Sequence, residues 1–329
     1  MSSIPVVDFA PFLASKTTPN DESEQQKQAV AAAILDSFKR IGFVYLVNHG
    51  MAQSEIDEMF AVSKSFFALP LETKLLAPRP AAKTHHRGYS ELGREKVTQP
   101  GDTDAYVPDT KESFECGADN DAMPNVWPPE EALPGFRAAC DAFYARCYEL
   151  EQNILRAIAL GFRLPEDYFL ASHPPQQNQL RLLHYPPVSQ ASLEEGTARR
   201  MVAHTDFITI TLLFQDDVGG LEVEDPAQPG VYIAAQPIPG AVIVNAGDLL
   251  KRWSNDVIKS TKHRVRAPPT AAKDGVTPAR YSIPYFCGPL PDTVVDCMPG
   301  TFDPSQLETK RYAPITAGDY VMHRLADSY

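Results

Sequence analysis

Two hydrophobic periods alternate along the chain. The run IPVVDF (4–9) is short and apolar with Pro at its edge, which predicts a strand. Across 21–41 the apolar positions Val30, Ile34, Leu35 and Phe38 fall at i, i+4, i+5 and i+8. That spacing makes one face of a helix, and Gly42 ends it. FVYLVNHG (43–50) is β-rich and closes on a turn. A second helix carries Ile56, Met59, Phe60, Val62 and Phe66 and stops near Leu69-Pro70. Residues 76–130 hold many Pro, Gly and charged residues without a sustained period. They predict loops with short strands that line a site rather than build a core. Helical spacing returns over 136–161, with Cys140 and Cys147 on one face two turns apart.

After Pro174 the period shortens to two. Residues 180–185, 201–214, 220–223, 231–234, 241–244, 261–265 and 280–286 all read as strands separated by Gly, Pro and Asp. In Ile208-Thr209-Ile210-Thr211 the apolar side chains take one face and the threonines the other. Strands at this spacing without helices between them predict an antiparallel sandwich or jelly roll. The fold class is therefore α+β, a β core wrapped by helices that come mainly from the N-terminal half. A last helix is expected over 318–325, and no internal repeat is visible.

Composition narrows the function. Of 329 residues, 43% are apolar and 22% charged, as in ordinary globular chains, and no apolar run approaches the ~18 residues of a membrane helix. Thirty basic against 42 acidic residues leave a net charge of −12, a field that repels nucleic acid and anionic lipid. A small anionic ligand would then need a local basic anchor. The five cysteines are odd in number and contain no CxxC pair, which predicts free thiols in a reducing compartment. The segment MSSIPVVDFAPFL has neither a basic n-region nor an apolar h-region, so a cytoplasmic protein is expected. The sequence carries no signal for an oligomeric state.

The sharpest chemical feature is His204-Thr205-Asp206. On a strand, period two puts an imidazole and a carboxylate on one face, where they can share a divalent metal. His263, in KSTKHRVR on another predicted strand, can supply a third ligand. Two His and one carboxylate on one side of a metal form the facial triad of non-haem Fe(II) oxygenases. The basic anchor is Arg280-Tyr281-Ser282, where period two aligns a guanidinium and a hydroxyl suited to gripping a carboxylate. Each motif alone has a plainer reading, a hydrogen-bonded surface pair for the first and a salt bridge for the second.

GFVYLVNHG, the HTD triplet, NAGDLLKRWSNDVIKSTKHRV and RYSIPYF occur in order over nearly the whole chain. Together they resemble the isopenicillin N synthase-like branch of Fe(II)/2-oxoglutarate-dependent dioxygenases. HRGYSELGREKVTQ, PDTKESFECG, LRLLHYP and TLLFQDDVGGLEV are similar to the fungal thymine-7-hydroxylase-like group within it. The resemblance implies a double-stranded β-helix (jelly-roll) core, with an N-terminal helical and strand region (1–120), the core with its supporting helix (121–300), and a C-terminal tail and helix (301–329). It implies His204, Asp206 and His263 as iron ligands and Arg280 and Ser282 on the distal carboxylate of 2-oxoglutarate. Tyr185 stands where the family has a tyrosine on the cosubstrate, and Leu183 replaces the usual asparagine two residues earlier.

For the substrate pocket the resemblance implies Phe207, Phe286, Asn178 and Arg181, with Tyr89, Arg94 and Lys96 from a loop. The expected activity is oxidation of a C–H bond of a small, planar cyclic molecule, using Fe(II), 2-oxoglutarate and O2, as in fungal secondary metabolism or thymine methyl oxidation. Two alternatives share the residues: a 2-oxoglutarate-independent iron oxidase whose Arg280 binds the substrate's own carboxylate, and a non-catalytic jelly-roll binding protein. His49, His85, His86, His173, His184 and His323 read as structural or solvent-exposed.

Overall fold

The computed structural model describes residues 3–13, 21–82, 85–94, 107, 109–119, 123–268 and 274–328. The chain first runs β1 (Val6–Asp8), α1 (Asp21–Arg40), β2 (Phe43–Val47), α2 (Gln53–Phe67), α3 (Leu71–Lys74), β3 (Gly88–Ser90), β4 (Glu112–Cys116) and α4 (Phe136–Gly161). Then come β5 (Gln179–Tyr185), β6 (Val188–Ser189), α5 (Gln190–Glu194), β7 (Met201–His204), β8 (Ile210–Gln215), β9 (Leu221–Glu224) and β10 (Tyr232–Ala234). The last part holds β11 (Val242–Ala246), α6 (Asp248–Trp253), β12 (His263–Val265), β13 (Val276–Thr277), β14 (Arg280–Cys287), β15 (Val294–Val295), β16 (Ile315–Thr316) and α7 (Ala317–Ser328).

Two sheets make the core. The large one has the order β1-β2-β11-β8-β14-β5-β4-β3 and the small one β10-β9-β12-β7, which is the jelly roll the strand spacing predicted. Apart from the parallel pair β1–β2, neighbours within both sheets are antiparallel. Period two assigns the faces. On β14, Tyr281, Ile283, Tyr285 and Cys287 join the larger hydrophobic cluster that α1, α2 and α4 cover. Arg280, Ser282, Pro284 and Phe286 point the other way, into the space between the sheets. The same split separates Leu180 and Leu182 from Arg181, Leu183 and Tyr185 on β5. A smaller cluster of Phe43, Tyr45, Leu183, Tyr185, Leu221, Val223, Ile243 and Val265 fills part of that inner space.

The three N-terminal helices form where their stripes place them. α4 buries Phe136, Cys140, Phe143, Cys147, Leu150 and Ile154 along one face, and Gly42 takes φ 75° to turn α1 into β2. Two sequence expectations are corrected. The segment 76–130 does not only line a site: β3 and β4 are buried at every position and extend the large sheet. Its apolar residues are too few for a visible period, and the carboxylates of Glu112 and Glu115 are buried in pairs with Lys74 and Arg181. The expected single strand 201–214 is two strands, β7 in the small sheet and β8 in the large one, joined by a turn. A continuous β pattern cannot show where a strand leaves one sheet for the other.

Candidate active site

The turn between β7 and β8 carries the metal-binding chemistry. His204 ends β7 and sits directly opposite His263, the first residue of β12. Asp206 lies two residues past the strand end, so the turn rather than strand pleating aims its carboxylate. Backbone bonds hold that turn against the start of α6: Asp248 N–H donates to Asp206 O (2.8 Å), Leu249 N–H to Phe207 O (3.3 Å) and Gly247 N–H to Thr209 O (2.9 Å). A Cβ at position 247 would stand 2.0 Å from Ile208 O, so only glycine allows this approach. From behind, buried His173 bonds Thr209 Oγ1 through Nε2 (2.8 Å).

Ligand atoms of His204, Asp206 and His263 lie within 4.8 Å of one another, the one such His/Cys/acid group among the described residues. Each detail fits a divalent iron. His204 Nδ1 is 3.0 Å from Val202 O and His263 Nδ1 is 3.3 Å from Thr261 O, so both Nε2 atoms are left for the metal. Burial, followed by the neighbouring His263, pushes His204 down to about 4, keeping its imidazole neutral. Asp206 Oδ2 accepts from Thr211 Oγ1 (2.5 Å) and Asn245 Nδ2 (2.7 Å), which leaves Oδ1 facing both imidazoles at 3.8 Å. Burial alone would raise the Asp206 carboxyl, but the two imidazoles and these two bonds outweigh it and hold it low. Sequence reasoning missed Asn245. Its signal is the polar side chain inside the apolar strand VIVNA, on the inner face of β11.

The second pole of the cavity is basic. Arg280, 1% exposed, donates from Nε to Gly219 O (2.9 Å), from Nη1 to Ser282 Oγ (3.0 Å) and from Nη2 to Gln215 Oε1 (3.3 Å). Tyr185 is its cross-strand neighbour on β5, with the guanidinium carbon 5.2 Å from the ring centre. Leu183 and Gln215 flank Ser282 from the two adjoining strands. The polar contact absent at Leu183 therefore has a polar counterpart, Gln215, on the other side.

One cavity joins the two poles. Its wall includes His204, Asp206 and His263, then Thr211, Asn245, Tyr185, Arg280 and Ser282, with Arg181, Pro284 and Phe286 alongside. Of the residues expected at the substrate, Arg181 and Phe286 are thus on the wall. Arg181 is held by Glu115 of β4, Nε to Oε1 at 2.8 Å.

Asn178, Tyr89, Phe207 and Arg94 lie off this wall. Asn178 is fully buried, donating to Glu151 and to Tyr285 Oη (2.9 Å) on the helix side of the sheet. Tyr89, 1% exposed, packs edge-on to Phe66 and donates to Glu112 Oε2 at 2.5 Å. Phe207 is off the cavity wall, with the Arg324 guanidinium 4.6 Å from its ring centre. Arg94 is exposed and donates to Arg79 O (3.1 Å). Lys96 lies outside the described residues. The plain reading of the other histidines suits His184, which bonds Glu112 and stacks on Tyr281, and the exposed His323.

Two family models match in succession: "non-haem dioxygenase in morphine synthesis N-terminal" over residues 4–130 and "2OG-Fe(II) oxygenase superfamily" over 176–289. The chain belongs to the 2OG-Fe(II) oxygenase superfamily. This oxygenase is 41% identical over 326 residues to proline hydroxylase buaE of Petromyces alliaceus, covering 98% of each chain. It is 37% identical to the 2-oxoglutarate-dependent dioxygenase frbA of Dothideomycetidae sp. (strain 11243), covering 99% of this chain and 97% of that one. The full-length thymine-7-hydroxylase of Neurospora crassa, solved with alpha-KG, matches it with a TM-score of 0.88 at 41% identity, over 99% of this chain and 96% of that one.

The oxygenase is therefore an Fe(II)- and 2-oxoglutarate-dependent dioxygenase with a jelly-roll core. The oxidase and the non-catalytic alternatives give way to that class. No helix among the described residues is long and apolar enough to cross a membrane.

Proposed function

We propose that this dioxygenase oxidises one C–H bond of a small cyclic molecule, in the manner of fungal secondary-metabolic oxygenases. His204, Asp206 and His263 hold the iron, and Arg280, Ser282 and Tyr185 take the distal end of 2-oxoglutarate. The observation carrying this reading is a cavity with a three-ligand pole at one end, a buried guanidinium at the other and a mixed Arg181/Phe286 wall beside them. Iron, 2-oxoglutarate and O2 together supply an oxidant able to take hydrogen from an unactivated carbon, with 2-oxoglutarate leaving as succinate and CO2. The protein supplies position: the two Nδ1 contacts fix the imidazoles, Thr211 and Asn245 fix the carboxylate, and the wall aims one C–H bond.

Phe286 gives a ring one face to stack on, and Arg181, its Nε and Nη2 held by Glu115, brings a fixed positive charge to the same wall. Both chemistries occur among similar proteins: the Neurospora enzyme has been solved with thymine and with 5-formyluracil, and buaE is named for proline. With Phe207 off the wall, Phe286 is the phenyl ring at its metal end, an arrangement that suits a puckered ring as well as a flat one. A cytosolic location is supported by the five cysteines, all of them free.

The test is anaerobic loading with Fe(II) and 2-oxoglutarate, followed by titration with pyrimidines and with cyclic amino acids. The expected result is a visible charge-transfer band that one of these sets shifts, and succinate release once air is admitted. A band shifted by acyclic ligands alone would overturn the cyclic-substrate reading.

A further inference from the structure

Behind the basic pole lies a second buried guanidinium. Arg200 is 2% exposed, at the residue before β7. Its Nη2 donates to Thr277 Oγ1 (3.1 Å) and to Pro278 O (2.7 Å), whereas Nε and Nη1 are buried with no hydrogen-bond partner among the described residues. Its guanidinium carbon is 5.9 Å from the centre of the Tyr185 ring, the same ring that lies 5.2 Å from Arg280. Neither arginine has a carboxylate in ion-pair range among the described residues. Arg280 meets Gly219, Ser282 and Gln215, all neutral. The neighbouring acid, Asp216, spends its oxygens on the Tyr281 and Val218 amides. Burial, and then the proximity of Arg280, lowers Arg200 to about 10, still charged at neutral pH.

Two like charges flank one aromatic ring, and Asp216, the acid whose charge acts on both, is in ion-pair range of neither, so the pair is costly to bury. The arrangement makes sense if an anion arrives. We propose that Arg200 is a positioning residue of the dicarboxylate anchor: its charge, acting through the Tyr185 ring, adds to that of Arg280 and selects a cosubstrate whose far end is anionic. This rests on Arg280 and Ser282 binding the distal carboxylate of 2-oxoglutarate. Arg200 is not on the cavity wall, so it acts on the ligand by field and by holding Tyr185, not by contact.

The experiment is calorimetric titration of the intact protein loaded with redox-inert Mn(II). The ligands are 2-oxoglutarate and 2-oxopentanoate, which keeps the keto acid and replaces the far carboxylate with a methyl group. Arg200→Met should weaken 2-oxoglutarate by about tenfold and leave 2-oxopentanoate unchanged, so the preference between them collapses. Arg200→Lys, which restores charge without the fork, should recover most of that preference. Arg280→Met, run in parallel, should abolish it.

If Arg200→Met weakens both ligands equally, or neither, while Arg280→Met removes the preference, the anchor reading stands and the role given to Arg200 is overturned. If Arg280→Met also leaves the preference intact, the anchor reading itself falls. Melting curves of each variant report whether a change comes from lost folding.

Discussion

The metal pole and the substrate wall of this cavity are built in different ways. At the metal pole every ligand has a second bond that leaves one atom free: Val202 O and Thr261 O beside the imidazoles, Thr211 and Asn245 on the carboxylate. The supports come from core strands, from Thr261 just before β12, and from the glycine-tight junction of the turn with α6. On the substrate wall, Arg181 depends on Glu115 of a strand added by the 76–130 segment, and Phe286 is half-buried without a polar tether. On the proposed function, the chemistry is held in place by a closed network and recognition by side chains with fewer tethers. Such a division lets related enzymes keep one reaction and exchange substrates.

The strongest way to break the metal pole is to remove a ligand. His204→Ala, Asp206→Ala or His263→Ala should each abolish metal binding and turnover, while the metal-free protein keeps its melting temperature within a few degrees. The apolar clusters that pack the jelly roll are built from other side chains. Metal content equal to wild type in all three variants would refute the triad.

A smaller but sizeable effect comes from beneath the turn. Burial pushes His173 from its ordinary 6.5 down to about 4. The unfolded chain therefore binds this proton first. The stabilisation is complete above about pH 6.5, declines as the pH falls toward 4, and does not change further below it. Its size is roughly 3 kcal/mol. Urea unfolding of wild type and His173→Gln at pH 7 and pH 4.5 should show the smaller pH dependence in the variant. Equal dependence in both would mean that His173 does not stay neutral in the fold.

These supports differ in how far the sequence reveals them. Inner-face residues of regular strands are legible: period two alone placed Arg280 with Ser282, and the structure keeps Pro284 and Phe286 on the same row. His204 and His263 are legible as strand residues. Asp206 is legible as a chemical partner, but its geometry is not, since a turn residue has no period. Asn178 shows the limit most clearly. It sits just before β5, where one residue of phase decides between cavity and helix layer, and the Glu151 on α4 that claims it is 27 positions away. Tyr89 likewise depends on Glu112, across a segment with no pattern to read. Arg200 leaves no trace, because a buried unpaired charge follows no hydrophobic rule.

Next in size is the carboxylate clamp. Asn245→Leu preserves volume and the inner face of β11 but leaves Asp206 Oδ2 with Thr211 alone. Divalent-metal affinity should fall by about 10- to 100-fold, the usual cost of removing such a supporting contact. The affinity of the loaded enzyme for substrate should change less. An unchanged metal dissociation constant would show that Thr211 suffices and that the closed network has a redundant member.

The smallest effect is expected at the wall itself. Phe286 faces Thr211 across the β14–β8 pair, and Thr211 faces Asn245 on β11, so all three share one row of the sheet at the metal end. Its ring is thus at the metal end of the cavity and away from the Arg280 pole. Phe286→Ala removes stacking of about 0.5–1.5 kcal/mol, a modest rise in substrate KM. It leaves the metal ligands and the anchor untouched, so the 2-oxoglutarate constant should hold. The sharper consequence is uncoupling: with one wall gone the C–H bond wanders, and succinate should form in excess of oxidised product. Parallel assays of succinate and product would read this ratio directly. A ratio and KM both equal to wild type would make Phe286 a packing residue and leave Arg181 as the sole positioner on that wall.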